Sequence, residues 1–171
     1  MKNSIEPTDK FNSLLVQYIN TFNLLESNVG SCITALEDSS REDSYELLAK
    51  TGCEKKIENL YKIVQSKDIL KNTRNLKELE EWCENAHKMR YQRNHYMHGV
   101  WSYLQHHDRV ELHLAPWFRE KFEGSTKMTL QEFTDIAQEI KDCFQQLMAI
   151  RQKMASNKAS QPTPKNGAAE L

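Results

Sequence analysis

The chain has 171 residues, enough for one domain with a buried core. Apolar residues make up 39% and charged residues 27%, with only five glycines and four prolines, too few turn formers for a many-stranded sandwich or barrel. A formal net charge of −1 leaves any nucleic-acid contact to a local patch, and no stretch approaches the roughly eighteen consecutive apolar residues of a membrane span. Met1 to Lys10 lacks the apolar core of a signal peptide. Cys32, Cys53, Cys83 and Cys143 lie far apart with no CxxC pair, as expected of reduced thiols in a cytoplasmic protein.

Thr8 and Asp9 are N-cap candidates for a first long helix. Its apolar stripe is Phe11, Leu14, Leu15, Tyr18, Phe22, Leu25, Val29, Cys32, Ile33 and Leu36, in steps of three and four. The polar run Glu37 to Asp43 reads as a connection, followed by a short helix from Ser44 through Leu47 and Leu48 to Thr51-Gly52. Ile57, Leu60, Tyr61 and Val64 mark another helix, and Asn72 to Asn75 a turn. The next helix runs roughly from Leu76 to His98, with Leu79, Cys83, Ala86, Arg90, Arg93 and Met97 along one row, Trp82, Met89 and Tyr96 flanking it, and Gly99 at the C-cap position.

Periodicity then changes. Val100 to Leu104 and Arg109 to Leu114 alternate with period two, which predicts a short β-hairpin packed on the helices. Ala115 to Met128, with Trp117, Phe118 and Phe122, reads as irregular. Thr129 and Glu132 form a capping box for a last helix carrying Phe133, Ile136, Ile140, Cys143, Phe144, Leu147 and Ile150. Residues 155–171 offer almost nothing to bury and read as a disordered tail, so the expected domain is 1–154. The fold class expected is an all-α helical bundle with a hairpin inserted before its last long helix.

Between Glu84 and Asp108 there is no acidic residue, yet the interval holds Lys88, Arg90, Arg93 and five of the six histidines. Such a stretch is either a solvated basic face or an anion site, phosphate being the obvious anion. Arg93 sits on the inner row, where an unpaired guanidinium costs several kcal/mol. Its partner is therefore a structural carboxylate such as Glu26 or the phosphate of a ligand, which the planar guanidinium fits. His98, at the helix C-terminus, is placed for proton transfer near neutrality, and Asn94 lies one turn before it. A charge stabiliser, an orienting amide and a proton carrier are the parts required for metal-free transesterification of RNA by the ribose 2′-hydroxyl. Arg90 and His95 repeat the same spacing, but with Tyr91 in place of the polar neighbour.

His95, His98, His106, His107 and His113 invite a zinc reading, but no Cys or carboxylate stands at ligand spacing and His106-His107 suits a turn tip. No metal or other cofactor is expected. Cys83 and Cys143 read as core residues, and Trp101 and Tyr103 either pack on a helix or stack on unpaired bases.

The run Arg93-Asn94-His95-Tyr96-Met97-His98 resembles the R-x(4–6)-H motif of the HEPN superfamily, in which a polar residue, often Asn, follows the Arg. Gly99 and Trp101 after it suit the sharp exit from the motif helix seen in many such sequences. The resemblance implies a HEPN-like antiparallel helical bundle and a metal-independent endoribonuclease, of the kind found as toxins or phage-defence enzymes. Arg93, Asn94 and His98 would be the catalytic residues, with Arg90, Lys88 and His95 contacting RNA. It also implies a homodimer through the motif helix and a nucleotidyltransferase-type antitoxin as partner. The hairpin is an elaboration that not every member shares. The alternative within the same superfamily is a non-catalytic helical dimer that binds a nucleotide or a protein partner.

Overall fold

The computed structural model describes residues 7–37, 48–104, 109–114 and 126–159. Four helices dominate: α1 (Pro7–Glu37), α2 (Cys53–Ser66), α3 (Thr73–Met97) and α4 (Leu130–Ala159). Three short strands, β1 (Gly99–Leu104), β2 (Arg109–Leu114) and β3 (Thr126–Thr129), lie between α3 and α4. Each helix packs on the next and α4 closes back on α1.

The stripe on α1 behaves as its spacing demands: eight of its ten residues are buried, from Phe11 to Leu36, and Leu14 and Leu15 are half-buried. The helix opens at Pro7, so Thr8 and Asp9 lie inside its first turn instead of capping it. A proline suits that first position because its missing N–H would have no intrahelical partner there. Helix α2 buries Ile57, Leu60 and Val64 and stops through a left-handed Asp68 (φ 46°). Asp68 N–H donates to Gln65 O and Ile69 N–H to Val64 O, the two bonds of a Schellman stop, and Ile69 is buried against the core.

Asn72 is not mid-turn. Its side chain accepts from Arg74 N–H at 2.9 Å and caps α3, which therefore starts three residues before Leu76. The capping box on α4 forms in both directions: Glu132 N–H donates to Thr129 Oγ1 and Thr129 N–H to Glu132 Oε2. Helix α4 continues to Ala159, five residues past the expected boundary at 154. Its last turn is held by Asn157 Nδ2 donating to Ile69 O and Lys158 Nζ to Ala35 O.

Helix directions correct the expected antiparallel bundle. Phe11 meets Phe133, Arg151 donates to Asn28 and Lys158 to Ala35 O, the numbers rising together, so α1 and α4 run parallel. Lys56 pairs with Glu26 and Lys67 donates to Leu36 O, so α2 also runs with α1. Lys88 pairs with Glu139, Trp82 Nε1 donates to Cys143 O and Lys153 pairs with Glu78, so α3 alone runs against the others.

The hairpin is present, with Gly99 opposite Leu114 and Leu104 opposite Arg109, but it is part of a three-stranded antiparallel sheet in the order β1-β2-β3. Of the residues of β3, 126–128 belong to the stretch that reads as irregular in the sequence and Thr129 to the capping box. They pair with β2 because Val110 and Met128, opposite one another, both bury inward while Lys127 pairs with Glu111. The turn at His106-His107, the start of the short helix at Ser44, Trp117, Phe118 and the tail beyond 159 lie outside the described residues.

Trp101 packs on a helix, the blander of its two readings: its ring lies 5.3 Å from Phe11 and 5.5 Å from Phe133, and Nε1 donates to Tyr96 O. Phe133, fully buried, touches Phe11, Tyr96 and Trp101. Phe133→Ala should therefore cost about 3–5 kcal/mol in urea unfolding followed by tryptophan fluorescence. Thr129→Ala should cost about 1 kcal/mol in the same assay, through the lost cap.

Candidate functional site: an arginine cleft between three helices

The buried row of α3 is Leu79, Trp82, Ala86, Met89 and Tyr96, with Arg93 taking the place between the last two. Trp82, Met89 and Tyr96 thus replace the expected Cys83, Arg90 and Met97, and Met97 is exposed. Arg93 belongs to the inner row in either register. Its guanidinium carbon sits 5.3 Å from the centroid of the Phe22 ring, and Nη1 donates to Asn94 Oδ1 at 3.1 Å. Its Nε is buried with no hydrogen bond, and Arg93 has no carboxylate partner among the described residues. Glu26, the carboxylate proposed for it, is held instead by Lys56 at 2.7 Å.

Arg93 opens into a cleft of about 550 Å³ walled by α1, the C-terminal half of α3 and the start of α2. Arg90 and Asn94 line the same cleft, so three of the six expected site residues meet there. Arg90 Nη2 lies 3.2 Å from Glu54 Oε1, and its Nε is also buried without a partner among the described residues. The other three do not line this cleft. Lys88 is exposed and paired with Glu139 of α4 at 3.0 Å. His95 is only 7% exposed and stacks edge-on with Tyr96. His98 is the exposed C-cap of α3, where Gly99 had been expected. At about 100° per residue, five residues carry His98 roughly 140° around the helix from Arg93. The Asn94 oxygen faces Arg93 and not the imidazole.

Folding removes most of the acid-free character of the 85–107 stretch. Glu54 and Glu139 come from other helices to pair with Arg90 and Lys88, leaving Arg93 as the residue whose charge those carboxylates do not meet. Sequence reasoning missed Phe22, Gly52, Cys53, Glu54 and Lys56, which also line the cleft. None carries a local signal. Phe22 looked like one more stripe residue, and Thr51-Gly52 only like a helix end.

Burial pushes the thiols of Cys53, Cys83 and Cys143 up to about 12, so all three stay protonated at neutral pH, including Cys53 at the cleft. Burial likewise lowers the pKa of His95 from its ordinary value near 6.5. The unfolded chain then binds its proton more tightly than the folded one does. Stability is complete above about pH 6.5 and falls as the pH drops from there to the depressed folded value. Thermal unfolding between about pH 7.5 and 5 should show a smaller acid-side fall in Tm for His95→Gln than for the unaltered chain. Compared with known proteins, the chain matches no family model, no curated protein and no solved structure.

Proposed function

We propose that the protein is a metal-independent endoribonuclease of HEPN type, acting as a homodimer through α3, in a toxin or phage-defence role with a nucleotidyltransferase-type antitoxin. The observation that carries this reading is Arg93, a half-buried guanidinium without a carboxylate partner among the described residues, opening into a cleft beside Arg90 and Asn94. An arginine so placed suits a phosphate, whose charge it neutralises with directed N–H donors.

In the proposed reaction the ribose 2′-hydroxyl attacks the adjacent phosphorus and the 5′-oxygen leaves. The products are a 2′,3′-cyclic phosphate and a 5′-hydroxyl end. Arg93 offsets the charge that builds on the phosphoryl oxygens, Asn94 orients Arg93, and His98 carries a proton to or from the reacting oxygens. Because His98 lies outside the cleft of its own chain, the site takes its imidazole from a second copy. Tyr91, Met97 and Val100, large apolar residues left exposed around the end of α3, supply a contact surface for that copy.

A second reading is favoured by the separation of Arg93 from His98: a non-catalytic helical dimer that binds a nucleotide or a protein partner through the same cleft. Incubation with RNA in EDTA distinguishes the two. The enzyme reading expects cyclic-phosphate ends and a loss of roughly a hundredfold or more in Arg93→Ala and in His98→Ala. Mixing the two variants should restore about a quarter of the activity, because half the dimers are mixed and each has one intact composite site. Cleavage that survives both substitutions, or that needs added metal, overturns it, and ligand-dependent stabilisation without turnover establishes the second reading.

A further inference from the structure

We propose that the Arg93 cleft is a pocket for a terminal phosphate, on the end of an RNA or on a free mononucleotide, and that Glu54 occupies the ligand's place at Arg90 until it binds. The inference rests on Arg93 as a phosphate contact but not on cleavage.

Charge favours a phosphate end over the internal linkage that the ribonuclease reading sets on the same arginine. Glu26 matches Lys56, and once Glu54 leaves Arg90 the ligand meets the two positive charges of Arg90 and Arg93. A phosphate monoester carries about 1.5–2 negative charges at neutral pH, whereas a diester carries one. Residues 49–54 line the cleft at the N-terminal end of α2.

That end also supplies donors. Gly52 is the N-cap of α2 and offers no side-chain cap, so the first N–H groups of the helix are not taken up by a capping side chain. A Cβ built on Gly52 would meet nothing within 4 Å among the described residues, so there is open space beside the N-cap. The buried, unbonded Nε atoms of Arg90 and Arg93 are the independent sign that the fold alone does not satisfy these two side chains.

Glu54 completes the device. It stands in the first turn of α2, its side chain 54% exposed, 3.2 Å from Arg90. A half-exposed pair of this kind is weak and easily exchanged. An arriving phosphate would take Arg90 from Glu54, join it to Arg93 and release the carboxylate to water.

The test uses the full chain in titration calorimetry with inorganic phosphate, adenosine monophosphate, and 2′-deoxy trinucleotides bearing a 5′-phosphate, a 3′-phosphate or neither. Terminal phosphates should bind at least tenfold tighter than the phosphate-free trinucleotide, and Arg93→Ala and Arg90→Ala should lose that difference. Glu54→Gln should tighten the monophosphates roughly three- to tenfold and leave the phosphate-free trinucleotide unchanged, a gain that misfolding cannot mimic. Adenosine monophosphate binding as tightly as the end-phosphorylated trinucleotides identifies a free nucleotide as ligand, and weaker binding identifies an RNA end. Equal affinity for all three trinucleotides, or no gain in Glu54→Gln, overturns the proposal while leaving the EDTA cleavage assay to decide the ribonuclease reading separately.

Discussion

The clamp on Tyr96 fixes the roll of α3, and the roll of α3 decides everything at the cleft. The Tyr96 ring is packed edge-on by Tyr18, Trp101 and Phe133, which bring α1, the sheet and α4 to one point. Its backbone carbonyl accepts from Trp101, and about two turns earlier Tyr18 donates its hydroxyl to Met89 O. With Met89 and Tyr96 both held inward, Arg93 between them has nowhere to go but the interior side, and His98 is carried to the outside. Aromatic pairs in such geometry add to the area they bury, so the roll is strongly defined.

A guanidinium forced inward must be accommodated. The fold does this partly, through the Phe22 ring and the Asn94 oxygen. A cation over an aromatic face gains from the ring quadrupole without giving up its in-plane N–H donors. Arg93 is therefore oriented but not satisfied, the condition expected of a group kept for a ligand. Arg90, a step further round the helix, meets a carboxylate; Arg93 meets none among the described residues. The cations close in sequence are thus sorted by the carboxylates that other helices bring to them.

Helix polarity follows from the connections. The fifteen residues between α1 and α2 let α2 return and run with α1, which sets the N-terminus of α2 beside the middle of α1 and the end of α3. An antiparallel α2 would instead present its C-terminus, and its unsatisfied carbonyls, to the same cations. The sheet between α3 and α4 turns the chain back so that α4 runs with α1.

Sequence alone determined what depends on neighbours along the chain. The stripes of α1 and α4, the capping box at Thr129–Glu132, the hairpin and the inward position of Arg93 were all legible, because periodicity and capping are local. Only the tertiary structure decided the rest. It chose Trp82, Met89 and Tyr96 over Cys83, Arg90 and Met97, since a one-residue change of roll satisfies the apolar spacing equally well and the aromatic clamp selects between them. It recruited β3 through one cross-strand apolar pair too short to show as a pattern. It also placed Glu54, Lys56 and Phe22 around Arg93 and turned His98 away, because which side chains converge is set by helix direction and packing, about which spacing along one helix says nothing.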